Sequence, residues 1–127
     1  MILLDTGFLI AFFKGEERTR SIVGRDVATT VISYHEIFSG LKHRKAEKEE
    51  KFFRAFFSKV RIYDFDLEAA EASSEIMAKL LSSGRVVNAL DVLIAGIAIA
   101  NRAEHVATTD ADFLEIAKVV DLQLYSA

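Results

Sequence analysis

Four carboxylates stand out for where they sit. Asp5 ends the apolar run Met1-Ile-Leu-Leu4, and Glu36 closes the tetrapeptide Ser33-Tyr-His-Glu36. Asp91 is the only ionisable residue between Asn88 and Asn101, and Asp110 follows the β-branched stretch Val106–Thr109. Like charges about 4 Å apart repel by about 4 kcal/mol at an effective dielectric of 20. Several such repulsions compare with the whole net stability of a domain, about 5–15 kcal/mol. Carboxylates gathered at one place therefore call for protons or a divalent cation. Oxygen-only ligands, with no Cys in the chain, suit Mg²⁺ or Mn²⁺ better than Zn²⁺.

Taken singly, these acids have ordinary explanations. Ser33 and Glu36 have the spacing of a capping box. Asp91 sits near the start of an apolar helical stretch, where the helix dipole favours an acid. Asp110 could close a turn. Taken together, they require several unrelated reasons for acids in similar settings.

The elements that position them follow from hydrophobic pattern. Met1–Leu4 is a short continuous apolar run closed by a turn signal, as in a strand buried on both faces. Phe8–Phe13 reads as a short buried helix and Glu16–Val23 as another, with Gly24 as its C-cap. Val27–Ile32 is a second strand, and Ser33 opens a helix to about Leu41. A mixed-charge stretch, Lys42–Lys51, overlaps a helix over Ala46–Lys59, and Val60–Phe65 is a third strand candidate. Asp66 caps a helix over Leu67–Leu81, ended by Ser82-Ser-Gly84. Ala89–Ala100 is apolar nearly all round, as a central buried helix should be. Val106–Thr109 is a strand, Asp112–Lys118 a short helix and Val119–Tyr125 a last strand. Strands alternating with helices imply an α/β domain of three layers, its central sheet mostly parallel and flanked by helices. In such a sheet, strand ends and the starts of the following helices share one edge, where ligands bind.

Composition narrows the classes. The chain has 127 residues, 51% of them hydrophobic and 28% charged, as in a single globular domain over residues 1–127. No apolar run reaches the length of a membrane span, Met1 opens a strand rather than a signal peptide, and the lack of Cys suits a reducing cytoplasm. A formal charge of −3 offers no global attraction to nucleic acid, so such a partner must be drawn by local basic patches or bound cations.

With these motifs in place, the chain resembles the PIN-domain ribonucleases, particularly the small VapC-type toxins of toxin–antitoxin pairs. The resemblance rests on Leu3-Leu-Asp-Thr6, Ser33-Tyr-His-Glu36 with Gly40-Leu41, Asp91-Val-Leu-Ile-Ala95 and Thr108-Thr-Asp-Ala-Asp-Phe113, in order along the whole chain. It implies a metal-dependent endoribonuclease in which Asp5, Glu36, Asp91 and Asp110 bind Mg²⁺ or Mn²⁺ and activate water to cut single-stranded RNA. Thr6 and Thr108 match the small polar companions of those acids. Implied partners are an RNA substrate, single-stranded or structured, a small antitoxin protein and a second copy in a homodimer. Gly7 and Leu90 depart from the family pattern, which usually has Asn or Ser after Asp-Thr and often Asn before the third acid.

Further expectations concern neighbouring residues. Asp112 could reach the same metal as Asp110, but its place before Phe113-Leu-Glu-Ile116 suits an N-cap, so it is expected mainly to cap. Phe52, Phe53, Phe56 and Phe57 recur at helical spacing, and at least one ring is expected in a groove that accepts a partner's apolar side chains. The alternative is that all four are core. Lys42, Arg44, Lys45 and Lys48 form the densest basic cluster, either a solvated helical face or a set of phosphate contacts. The three histidines have no catalytic spacing. Asp5-Thr-Gly7 also matches an aspartic-protease motif, but Phe8 follows where Ala or Ser is wanted and the helical pattern is wrong for that fold. Two other readings remain: a non-catalytic RNA- or protein-binding module, against which the intact acids argue, and a housekeeping RNA-processing nuclease, which site residues do not separate from a toxin.

Overall fold

Ile2, Leu3 and Leu4 are all buried because they form the strand β1 (Ile2–Leu4) at the centre of a sheet covered on both faces. The computed structural model describes residues 1–126, so Ala127, the last residue of the expected domain, lies outside them. Among the described residues, four parallel strands run in the order β3-β2-β1-β4, with β2 at Val27–Thr30, β3 at Arg61–Tyr63 and β4 at His105–Ala107. Ile2 pairs with Val27 on one side and His105 on the other, so β1 is hydrogen-bonded along both edges.

The period-2 alternation of the strand divides the core into two layers. Leu3 packs with Ala28 and Val106 against α4 (Leu67–Ser82), α5 (Ala89–Ala100) and α6 (Asp112–Val119). Ile2 and Leu4 face the other way, toward α1 (Thr6–Phe13), α2 (Val31–Arg44) and α3 (Glu47–Phe57). Helix α5 is buried from Asp91 to Ala98 apart from Leu93, as its all-round apolar character requires. At Gly96 a β-carbon would lie 2.6 Å from Ser73 Cβ and 2.7 Å from the Ala69 carbonyl oxygen, so glycine permits the close approach of α5 to α4.

Several expected boundaries move. The segment Glu17–Ile22 is a 3₁₀ helix rather than an α-helix, and Gly24 after it adopts a φ of +82°, a conformation that favours glycine. Strand β2 ends at Thr30, where its pairing with Tyr63 ends, and helix α2 begins at Val31. Helix α2 continues to Arg44 and is closed by Lys45 in the left-handed region, φ 53°. The last strand expected over Val119–Tyr125 is reduced to one parallel bridge between Leu124 and Val106, because Val119 still belongs to α6. No helix among the described residues is long and apolar enough to cross a membrane.

Candidate metal centre

The C-terminal edge of the sheet carries the acids. Asp5 is the first residue after β1 and the N-cap of α1, where its Oδ1 accepts a hydrogen bond from the Phe8 amide at 2.8 Å. Its other oxygen accepts from the Thr108 hydroxyl, and its own amide donates to the Ala107 carbonyl at 3.0 Å. Asp5 is 1% exposed. Burial, partly offset by the bonds from Thr108 and Phe8, pushes its carboxyl up to about 6, and the nearby Asp110 and Glu36 add to the rise. The cap role went unforeseen because the first helix was expected to begin at Phe8 rather than Thr6.

The ordinary explanation for Glu36 fails. The N-cap of α2 is Thr30, whose side chain accepts from the Ser33 amide at 3.1 Å. Ser33 is therefore inside the helix, the capping box with Glu36 does not form, and Glu36 lies in the second turn. There its Oε1 accepts a hydrogen bond from Thr6 Oγ1 at 2.7 Å.

Asp91 sits three residues after the N-cap Asn88, the spacing at which an acid would bond back to the cap amide. That amide is taken instead by Asp112 Oδ2, at 2.8 Å. Asp91 is left 8% exposed, with Oδ2 buried and without a hydrogen-bond partner among the described residues. Burial above all, and then the close Asp110 carboxylate with Asp5 and Asp112 beyond it, pushes Asp91 up to about 8. An orphaned carboxyl oxygen is costly to bury.

Asp110 is exposed and lies in the turn after β4, its amide receiving no strand partner but donating to Thr108 Oγ1 at 2.9 Å. Thr108 thus joins Asp5 and Asp110 through one hydroxyl. Asp110 Oδ1 accepts the Asp112 amide at 2.9 Å. The expectation that Asp112 caps α6 fails: the N-cap position is Ala111, the side chain that accepts from the helix's first amide is that of Asp110, and the Asp112 carboxylate turns back toward α5. Asp91, Asp110 and Asp112 each offer a carboxylate oxygen, all within 4.8 Å of one another. Asp5, Glu36, Asp91 and Asp110 line one cavity of about 360 Å³ open to solvent. No Lys, Arg or His among the described residues forms an ion pair with any of these five acids.

Two further residues at this cavity escaped the sequence. Asn88 lines it, and its only signal was a capping residue ahead of an apolar helix. Thr109 explains Gly7: a β-carbon at position 7 would lie 2.5 Å from Thr109 Oγ1, so the missing side chain makes room for that hydroxyl.

A second cavity, of about 480 Å³, adjoins the first through Ile10 and Glu36, and Phe13, Phe53, Lys14 and Arg44 also line it. The phenylalanine stripe divides here. Phe53 and Phe57 are buried, Phe56 is half-buried, and Phe52 is 38% exposed with its ring 4.9 Å from that of Phe13. Of the basic cluster, all four members are exposed, and Arg44 alone among them lines this cavity.

Comparison with known proteins places the fold. The family model described as PIN domain matches residues 2–119. No curated protein matches by sequence. Among solved structures, VapBC2 from Rickettsia felis, bound to a DNA fragment from its promoter, is similar with a TM-score of 0.83 and 24% identity, covering 98% of each chain. A toxin–antitoxin structure from Mycobacterium tuberculosis, VapBC-5, gives a TM-score of 0.79 at 25% identity over 98% of this chain and 97% of its own. VapC20 of the same organism, described as a toxin that cleaves the sarcin–ricin loop, gives 0.72 at 18% identity over 97% and 99%.

Proposed function

The chain belongs to the PIN domain family, and from that premise we propose that it is a Mg²⁺- or Mn²⁺-dependent endoribonuclease that cuts single-stranded RNA as the toxin of a toxin–antitoxin pair. The observation that carries this reading is the cluster of Asp91, Asp110 and Asp112, each offering a carboxylate oxygen within 4.8 Å of the others, at an Asp91 that also buries an unpartnered Oδ2. Asp91, Asp110 and Asp112 would hold the ion, with Asp5 and Glu36 completing the acidic wall. The bound ion would supply an acidified water near neutral pH and neutralise charge building on the phosphoryl oxygens.

The chain's own residues do the positioning. Asp5 is fixed by two hydrogen bonds and cannot swing away from the edge of β1. Thr6 holds one oxygen of Glu36, so the other, Oε2, is the free acceptor for a proton leaving the attacking water. The adjoining cavity, with apolar Ile10, Phe13 and Phe53 and basic Lys14 and Arg44, suits an antitoxin segment that presents apolar side chains beside the acids. Homodimer formation and a cytoplasmic site of action belong to the same reading. Expression in cells tests it: the wild-type chain is expected to arrest growth with loss of intact RNA, and Asp91→Asn is expected to do neither. Equal arrest by both forms, or arrest without RNA loss, overturns the proposal.

A further inference from the structure

An anionic substrate needs hydrogen-bond donors, and among the described residues no Lys, Arg or His lines the acidic cavity. Side-chain donors there come from uncharged groups. The Thr6 hydroxyl is committed, donating to Glu36 at 2.7 Å. Two other lining side chains carry a donor that has no partner among the described residues. One is Asn88, whose Oδ1 already accepts the Leu90 amide at 2.9 Å, and the other is Thr109.

Of the two, Thr109 is the one whose hydroxyl the fold makes room for. A β-carbon at position 7 would lie 2.5 Å from Thr109 Oγ1 and 3.9 Å from Asp5 Oδ1. The hydroxyl therefore lies against Gly7, between the segment that carries Asp5 and the segment that carries Asp110. Gly7 is the second residue of α1, where alanine would form helix more readily. Its φ is not positive, so its backbone conformation is open to any residue. The one close contact that an alanine side chain would meet is the Thr109 hydroxyl. A lysine or arginine in that place would pair with the acids, whereas a hydroxyl leaves their charge intact for a cation. A hydroxyl also bonds an ionised acceptor about twice as strongly as a neutral one, and side-chain hydroxyls are common partners of nucleic-acid phosphates.

We propose that Thr109 is a substrate-binding residue: its hydroxyl, admitted to the cavity by the missing side chain of Gly7, donates a hydrogen bond to a phosphate oxygen of the RNA strand held against the acids. Gly7 is then a positioning residue that acts through Thr109. The proposal rests on the nuclease reading above and assigns to the chain a contact with the anionic part of that substrate. Thr109 is exposed, so its replacement leaves the core untouched.

Five forms of the full chain test it: wild type, Thr109→Val, Thr109→Ser, Gly7→Ala, and Gly7→Ala combined with Thr109→Val. Cleavage of one short single-stranded RNA in Mn²⁺ gives kcat and KM for each. Isothermal calorimetry gives the Mn²⁺ dissociation constant, and thermal melts report folding. Thr109→Val should raise KM about tenfold while kcat and Mn²⁺ affinity stay within about twofold of wild type, because it removes a hydrogen bond to a charged group that is present before and during the reaction. Gly7→Ala should raise KM by a similar factor, since its β-carbon turns the hydroxyl away. The double variant should be no worse than Thr109→Val alone. Thr109→Ser keeps the hydroxyl and should stay near the wild-type KM. The proposal is overturned if Thr109→Val leaves KM unchanged, if Thr109→Ser loses as much as Thr109→Val, or if the effects of Gly7→Ala and Thr109→Val multiply in the double variant. Mn²⁺ binding that weakens as much as KM rises also overturns it, because the hydroxyl would then serve the metal ligands and not the phosphate. A wild-type chain that cuts no RNA overturns the nuclease reading and this contact with it, whereas an active wild type beside an unchanged Thr109→Val removes the contact alone.

Discussion

Replacing Asp91 by Asn should make the metal-free protein more stable, by an amount that grows with pH. The native carboxyl is raised from the ordinary 3.8 to about 8, so between those values the folded chain holds a proton that the unfolded chain has released. A raised native value stabilises at low pH and is lost as pH rises: the Asp91 contribution is most favourable below about 4 and worst above about 8. At 1.36 kcal/mol per pH decade the full span sets a ceiling of about 6 kcal/mol. The cavity is open to water, so screening brings the expected cost to about 2–3 kcal/mol at pH 8. An Asn at this position carries no charge, and its amide can donate to Asp110. For a domain of this size the gain corresponds to about 10 °C in melting temperature. Thermal melts in EDTA should therefore show Asp91→Asn about 10 °C above wild type at pH 8 and nearly level at pH 4.5. Saturating Mn²⁺ should raise the wild-type melt and leave the variant where it was. A variant less stable than wild type at pH 8, or a difference independent of pH, would refute the idea that Asp91 is a buried charge awaiting a cation.

Three other outcomes follow from the same geometry. Asp112→Asn retains an acceptor for the Asn88 amide and should melt like wild type while losing cleavage, whereas Asp112→Ala should also lose about 1–2 kcal/mol with that bond; full cleavage by Asp112→Asn would remove it from the site. Phe52→Ser, whose ring lies outside the cavity but packs on the cavity-lining Phe13, should leave the fold intact and weaken capture of a partner protein, while Phe53→Ser, at 3% exposure, should cost about 3–5 kcal/mol; normal partner binding by Phe52→Ser removes that ring from the docking surface. Arg44→Ala should flatten the salt dependence of RNA binding by about one contact, with smaller changes from Lys42, Lys45 and Lys48; an unchanged slope in the fourfold variant leaves all four as ordinary surface residues.

The layers of the fold were legible because burial leaves a period. β1 reads as an unbroken apolar run and α5 as apolar on every side, and both are buried as that pattern demands. The gathering of acids at one sheet edge was legible from the topology, since Asp5 and Asp110 follow strands, Asp91 opens a helix and Glu36 lies in the second turn of one. What was hidden were choices between equivalent local chemistries. Thr30 and Ser33 can both cap a helix, and the pairing of Thr30 with Tyr63 in the sheet decides in favour of Thr30. Asp112 could cap α6 locally, yet a cap amide 24 residues away claims its carboxylate, a contact without sequence signal. Gly7 looked like a departure from the family pattern, and only the position of Thr109 Oγ1 shows what fills the space. Likewise Val119–Tyr125 has strand composition, but α6 consumes its first residue and little edge of the sheet remains to pair.

The most direct measurement is cleavage of a single-stranded RNA by the purified chain on one gel, with Mg²⁺, with Mn²⁺ and with EDTA, beside Asp5→Asn prepared in parallel. Asp5 is chosen because Asn keeps the shape and the Oδ1 that caps α1, so the fold should survive while one negative charge is lost. Cleavage with either cation, none in EDTA and none by Asp5→Asn is the result expected of a metal-dependent nuclease built on these acids. Undiminished cleavage in EDTA, or by the Asp5→Asn chain, would contradict it.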